Sequence, residues 1–447
     1  MLIRTTQRTH PATLVALITI NLCVCLTAVG QTLSKNDREA GRIMLHNIRD
    51  SIKKNYYDPS FHGMNLEEIF KNADEKISQA TSNGQLFGII AQAVRSLNDS
   101  HTNFIPPPRA LRVNYDWQIQ MIGDHCYITA VKPGTDAEAR GLRPGDIVHV
   151  VDGYKITNDN FELFNYLYNF LQPKPDLSVV VQSPGSQPRQ VDFHASTRQG
   201  KKALDFMSDT GGDYYDLLRE SQEYDRIYEH RLKGFGNDLY IWKMPNFDLT
   251  VGQVNELMEK AKNYKTLIID LRGNPGGYVD TLLQVIGNLF DHDVKLGDRK
   301  RRKDTKPLIA KTRGHDVFAG QLILLVDRGS ASCSEMLSRV VQLEKRGTVI
   351  GDHTAGAVME AKRYPFELGE SNVIFYSASI TDADIIMGDG ASLEHAGVIP
   401  DKVLLPTGDD LRQQSDPVLV YAASLASVKI EPKDAGALFP IRWKLQP

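Results

Sequence analysis

Apolar residues recur with a helical period from Lys35 to Leu97, where Ile43, Leu45, Ile48 and Ile52 form one stripe and Leu66, Ile69, Phe70, Ala73 and Ile77 a second. The period stops at Asn98-Asp99-Ser100-His101-Thr102, and Pro106-Pro107-Pro108 then forbids helix and marks a boundary. From Val113 to Ala195 the pattern changes to short β-rich runs, Tyr127 to Val131 and Asp146 to Val151, parted by Pro133-Gly134 and Asp152-Gly153 turns. A small separate β domain fits this stretch. Lys201 to Tyr228 is polar and irregular and reads as a connection. Beyond it, strands and helices alternate: strand Asp238 to Trp242, helix Gly252 to Lys262, strand Thr266 to Leu271, and a helix after Tyr278. A short apolar run, Leu322 to Val326, follows, and Leu337, Val340, Val341 and Leu343 then return to helical spacing. This βαβα order predicts a layered α/β core. Asp416 to Val428 reads as one amphipathic helix before an irregular end.

Composition narrows the class. Of the 447 residues, 41% are hydrophobic and 24% charged, a globular balance that excludes a disordered or fibrous chain. The first thirty residues differ: Arg4 and Arg8 precede a mostly apolar run from Thr13 to Val29, and Ala28-Val29-Gly30 has the small-x-small form of a signal-peptidase site. An exported protein, periplasmic or secreted, is expected. An uncleaved N-terminal membrane anchor is the alternative. Loss of Arg4 and Arg8 takes the formal charge from −3 to −5, so no general affinity for nucleic acid is expected. The basic run Arg299 to Lys303 reads as a solvated loop. Cys126 and Cys333, left after such a cleavage, make no disulfide framework, and no Cys/His spacing matches a zinc site, so neither metal nor cofactor is expected.

Candidate chemistry concentrates between Leu322 and Gly356. A buried strand, a hydroxyl-rich turn and a helix place Ser332 at a helix N-terminus, where unpaired N–H groups stabilise negative charge on an acyl group. Ser330, Ser332 and Ser334 also read simply as helix caps, with Glu335 completing a capping box from Ser332. That segment alone favours the caps.

Three segments together resemble the C-terminal processing (tail-specific) serine peptidases and the core of tricorn protease, over nearly the whole chain. The string Val131-Lys132-Pro133-Gly134-Thr135, Gly141-Leu142-Arg143-Pro144-Gly145-Asp146-Ile147 and Val151-Asp152-Gly153 is similar to a PDZ domain. Leu267-Ile268-Ile269-Asp270-Leu271-Arg272-Gly273-Asn274-Pro275-Gly276-Gly277 is similar to the family's strand-to-loop signature, in which Gly276 and Gly277 would supply half of an oxyanion hole. Ser330-Ala331-Ser332-Cys333-Ser334-Glu335 is similar to its nucleophile motif, which implies Ser332 as nucleophile and the Cys333 N–H as the second oxyanion donor.

The processing peptidases activate this serine with a lysine that here is Ala357, and Lys362, the nearest lysine, reads as an exposed strand residue. The tricorn-like branch takes a histidine from before the PDZ-like domain and a carboxylate from near the C-terminus. Asp99-Ser100-His101-Thr102 and Leu393-Glu394-His395-Ala396-Gly397 resemble those segments. The resemblance thus implies His101 as general base, oriented by Glu394 directly or through Ser100; His125, His149, His353 and His395 are competitors.

The implied architecture is α/β: a ClpP/crotonase-like layered core with an inserted PDZ domain and an N-terminal helical region. Its divisions are a signal segment 1–30, a helical region 31–112, a PDZ domain 113–197, a peptidase core 198–428 and a tail 429–447. The implied activity is an exported serine endopeptidase acting on peptides, unfolded proteins or C-terminal segments through an acyl-enzyme, with membrane proximity if the anchor is kept. In that reading the PDZ domain receives substrate or gates the site. A non-catalytic protein binding peptides or hydrophobic ligands on the same scaffold is the alternative.

Overall fold

The computed structural model describes residues 33–108, 111–199, 223–369 and 373–443. The expected signal segment and most of the expected connection lie outside the described residues.

Helix α1 (Lys35–Asn55) begins at a capping box: Ser34 Oγ accepts the Asp37 N–H, and Asp37 accepts the Ser34 N–H. Its buried face is Met44, Leu45, Ile48 and Ile52, whereas Ile43, expected on that stripe, is 38% exposed. One residue is about 100° of helix, enough to turn Ile43 out beside the buried Met44. Helices α2 (Leu66–Ile77) and α3 (Asn83–Arg95) pack with α1 around Ile52, Phe70, Ile77 and Ile90. Strand β1 (Asn103–Ile105) then leaves the helices.

The β domain comprises β2 (Leu111–Asn114), β3 (Trp117–Ile122), β4 (His125–Val131), α4 (Asp136–Ala139), β5 (Ile147–Val151), β6 (Tyr154–Lys155), α5 (Phe161–Tyr166), β7 (Asp176–Gln182), β8 (Arg189–His194) and β9 (Ser196–Gln199). Its main sheet runs β3-β4-β5-β7-β8, with β6 on β5 and every pair antiparallel. The period-2 pattern is clear in β7, whose Leu177, Val179 and Val181 are buried between more exposed neighbours. β2 pairs with β9, so the chain enters and leaves this domain side by side, as an insertion must.

The remainder carries β10 (Arg231–Phe235), β11 (Leu239–Lys243), α6 (Val251–Ala261), β12 (Thr266–Asp270), α7 (Val279–Gly287), β13 (Val294–Arg301), β14 (Thr305–Ala310), β15 (Gln321–Val326), α8 (Cys333–Leu343), β16 (Gly347–Gly351), β17 (Met359–Leu368), β18 (Ile374–Met387), β19 (Lys402–Val403), α9 (Gly408–Arg412), α10 (Pro417–Leu425) and α11 (Pro432–Ala437). A mostly parallel sheet, β10-β11-β12-β15-β16-β19, is buried on both faces. Leu267, Ile269, Leu322 and Leu324 face α6, α7 and α8, while Ile268, Ile323 and Leu325 face α10 and α11.

A second sheet, β1-β18-β13-β14 with β17 on β18, is antiparallel throughout. Ala378 and Ile380 of β18 pack with the N-terminal helices, and its Ile385 and Met387 with the α/β core. This sheet therefore joins the two regions. Two expectations are corrected. Most of the basic run lies in β13 rather than a loop, where Arg299 and Arg301 pair with Glu360, and Arg301 also approaches Asp382. The tail expected to be irregular contains α11, started by Pro432 at a position where a missing N–H costs nothing.

Candidate active site

The nucleophile turn follows β15 at the C-terminal edge of the parallel sheet, where α/β folds place their ligands. The three serines have different surroundings. Ser330 is buried and donates its hydroxyl to the Leu271 carbonyl (2.8 Å); Ser334 is buried and donates to Asn274 O (3.0 Å). Ser332 is half-buried at the cap of α8 with φ +55 and ψ −114, a sparsely populated conformation for a residue with a Cβ. Strain of this kind suits a nucleophile turn. The expected capping box between Ser332 and Glu335 is present: Glu335 Oε2 accepts the Ser332 N–H (3.0 Å), and the Glu335 N–H also reaches the Ser332 carbonyl (2.9 Å).

The glycine pair lies directly against this turn. A Cβ on Gly276 (φ +100) would stand 2.7 Å from Ser332 Cβ, and one on Gly277 (φ +149) would stand 2.6 Å from Phe247 O. Only glycine fits either place. The N–H groups of Gly277 and Cys333 bond to no described residue and are therefore available donors. Gly276 was expected to donate as well, yet its N–H is taken by Asn274 Oδ1 (2.8 Å). Its contribution is close approach. The Cys333 thiol is buried, touches Gly277 O (3.4 Å) and is pushed up to about 12 by burial, so it is inert.

His101 lies between α3 and β1, fixed through its backbone: Asp99 Oδ1 accepts the N–H groups of His101 (3.0 Å) and Thr102 (2.6 Å) and the hydroxyl of Thr381 on β18 (2.6 Å). His101 Nδ1 meets Ser100 Oγ at 2.7 Å; Ser100 Oγ donates to Glu394 Oε2 (2.9 Å), and the Ser100 N–H donates to Glu394 Oε1 (2.6 Å). Glu394 thus reaches the ring through Ser100. With the Ser100 hydroxyl donating to Glu394, Nδ1–H of His101 donates to Ser100 Oγ, which leaves Nε2 as the basic nitrogen. Burial lowers the His101 pKa below its usual value and favours the neutral ring, with the nearby Asp99 opposing; it raises that of Glu394, whose side chain is 6% exposed, against hydrogen bonds from Ser100 and Val358.

One peptide group connects the two halves. The Ala357 carbonyl accepts the Ser332 N–H (2.9 Å), and the Val358 N–H donates to Glu394 Oε2 (2.8 Å). Ser332 Oγ and the His101 ring form no hydrogen bond with each other.

The competitors fall elsewhere. Lys362 is 60% exposed on β17, and its ion pair with Asp382 (2.8 Å) raises its pKa, which keeps it a cation and no base. His125 and His149 lie in the β domain, His149 bound to Gln182 (2.8 Å). His395 is exposed, and its Nε2 meets Asn98 O (2.8 Å). His353 is half-buried with its N–H on Asp352 (2.7 Å).

Glu335 has a larger role than a cap. Fully buried, it accepts from Ser332 N–H, Thr354 Oγ1 (2.6 Å), Gly356 N–H (2.8 Å) and Ala357 N–H (2.9 Å), so one carboxylate locks Ser332 to the loop that touches Glu394. Asp327 does the same on the other side: Oδ1 accepts from Gly273 (2.8 Å) and Gly329 (2.9 Å), Oδ2 from Gln120 of the β domain (2.6 Å). Sequence reasoning gave no role to Asn274, Asp327 or Asp99; each joins a neighbour in sequence to a distant segment, Asn274 to Met244 O (2.9 Å), Asp327 to Gly273 and Gln120, and Asp99 to Thr381. Among the described residues no three His, Cys, Asp or Glu side chains cluster as a metal site, and no helix is long and apolar enough to cross a membrane.

Residues 239–404 match the family described as Peptidase family S41. Over 414 residues the chain is 22% identical to a "Probable CtpA-like serine protease" of Staphylococcus aureus (strain N315), covering 90% of this chain and 71% of that protein. A second of that name, from strain bovine RF122 / ET3-1, is 22% identical over 368 residues, 79% of this chain and 65% of its own length. The chain thus spans about two thirds of these relatives. Among solved structures, mature CPAF superposes with a TM-score of 0.62 at 14% identity, over 84% of this chain and 94% of the other. The photosystem II D1 C-terminal processing protease gives 0.50 at 19%, over 82% and 93%. These likenesses establish the fold.

Proposed function

We propose, from the match of residues 239–404 to peptidase family S41, that the protein is an exported serine endopeptidase cleaving peptides or unfolded protein segments through an acyl-enzyme. The observation that carries this reading is the relay Glu394–Ser100–His101, tied by the Ala357–Val358 peptide to a strained Ser332. His101 Nε2 removes the Ser332 Oγ proton as Oγ attacks the scissile carbonyl carbon. The N–H groups of Gly277 and Cys333 receive the oxyanion. On collapse the C–N bond breaks and His101 returns the proton to the leaving amine; water, activated by the same ring, then hydrolyses the ester. Glu394, through Ser100, stabilises the imidazolium formed at each stage. The β domain, PDZ-like in sequence, receives or gates substrate, and the apolar N-terminal segment directs export.

The test is covalent labelling. A fluorophosphonate should modify folded protein once, at Ser332, and Ser332→Ala should lose both the label and hydrolysis of unfolded protein. A folded protein in which Ser332 stays unmodified would favour the binding-protein reading.

A further inference from the structure

One buried charge beside the proposed base is not used by the relay. Asp99 is 6% exposed, two residues before His101, and its Oδ1 already accepts the N–H groups of His101 and Thr102 and the Thr381 hydroxyl. Its Oδ2 is buried and bonds to no described residue. A buried carboxylate oxygen without a donor is costly, and its persistence calls for a use of the charge. The His101 ring is within range of that charge: burial disfavours the imidazolium, and Asp99 favours it.

A proton donor stands beside this carboxylate and is directed elsewhere. Tyr56, fully buried at the end of α1, stays protonated because burial and the Asp99 charge both raise its pKa. Its hydroxyl meets His62 Nε2 at 2.9 Å. Asp58 Oδ2 accepts the His62 N–H (2.6 Å) and lies 3.6 Å from Nδ1, which favours the tautomer protonated on Nδ1; Nε2 then accepts the Tyr56 proton. The turn that carries His62 is strained. Phe61, His62 and Gly63 have φ of +51, +56 and +79 in succession, whereas left-handed residues with a Cβ ordinarily occur singly. Two further groups face this cluster. Tyr57, whose hydroxyl lies 3.4 Å from the same Nε2 and whose N–H donates to Thr381 O (3.0 Å), is near Asp384 and Glu394; Arg302 donates to the Tyr56 carbonyl (3.0 Å).

We propose that Asp99 is a positioning residue that serves His101 as a second carboxylate: Oδ1 fixes the backbone, the bare Oδ2 supports the imidazolium, and His62 keeps the Tyr56 proton away from that oxygen. A hydrogen bond from Tyr56 to Oδ2 would draw off part of the charge, so the strained turn at His62 preserves the field at the ring. Glu394 reaches the same ring through Ser100, and the two carboxylates stabilise the charge that forms on it. This rests on the peptidase reading for the use of His101 as a base, but the ionisation of the ring can be followed without turnover.

The experiment is an NMR titration of the full chain carrying Ser332→Ala, isotopically labelled in its histidine rings, with the His101 signal identified by its loss in His101→Ala. Asp99→Asn keeps an oxygen for the three donors at Oδ1 and removes the charge. It should lower the His101 midpoint by at least about 0.5 pH unit and, in protein that retains Ser332, lower kcat about tenfold with KM little changed. His62→Asn suits the left-handed turn but lacks the nitrogen that meets Tyr56, and it should lower the midpoint in the same direction by a smaller amount. An unchanged or raised midpoint in Asp99→Asn overturns the proposal, because asparagine preserves a purely structural cap; an unchanged midpoint in His62→Asn overturns the part assigned to His62. If Asp99→Asn does not fold, the shift in His62→Asn decides alone. Labelling of Ser332 is scored separately on the unsubstituted protein, so a failure of the peptidase reading leaves the titration interpretable.

Discussion

The chemistry assigned to single residues divides between a strained nucleophile and a base that depends on its neighbours. His101 acts as a base only when neutral. Burial lowers its pKa, so the acid limb of kcat/KM should fall below the ordinary histidine value of about 6.5, with activity retained under mildly acidic conditions. A pH–rate profile checks this, and an acid limb clearly above 6.5 would contradict it. Ser100 links His101 to Glu394, so Ser100→Ala should lower kcat by about 100-fold with KM little changed. Glu394→Gln, which also removes the anion, should cost more, up to about 10,000-fold.

At the scale of elements, the turn and loop around Ser332 are held by buried groups whose ionisation matters. Glu335 is pushed up to about 7 by burial, against four hydrogen bonds that favour its charge. A carboxyl raised in the folded state binds more protons folded than unfolded, so stability falls as pH rises from about 4.5 through 7. Relative to Glu335→Gln, the unsubstituted protein should lose up to about 3 kcal/mol between pH 5 and 8, read from denaturant midpoints at each pH. Gly276→Ala would place a methyl 2.7 Å from Ser332 Cβ at φ +100; activity should drop at least about 100-fold while Glu394 and His101 stay in place. The strands of the parallel sheet were legible in the sequence because burial on both faces leaves continuous apolar runs such as Leu322 to Val326. The antiparallel sheet was not: Arg299, Arg301 and Lys362 look solvated in isolation, and their acidic partners Glu360 and Asp382 come from other strands. In the site, the motifs nominated Ser332, His101 and Glu394, and the structure joins Glu394 to His101 through Ser100. Asp327 joining three segments arises only from tertiary contacts, whereas Asn274 takes the Gly276 N–H within its own turn.

For the whole molecule, the proposed mechanism draws its residues from separate regions. His101 comes from the junction of the helical region with β1, Ser332 from the α/β core, and Glu394 from the loop after β18, while the β domain grips the nucleophile turn through Asp327. A second grip lies at Asp146, fully buried, which binds Arg412 of α9 along with Ser183 (2.7 Å) and Arg189. Arg412→Ala removes the partner from across the interface and should cost about 1–3 kcal/mol of stability. It should also hasten proteolytic nicking beside β9, seen as earlier release of the β domain in limited digestion. Most direct for the central claim is the second-order rate constant for fluorophosphonate labelling of Ser332, compared between the native protein and His101→Ala at neutral pH. Activation by His101 predicts a fall of at least about 100-fold with the unfolding midpoint little changed. Equal rates in the two proteins would contradict it.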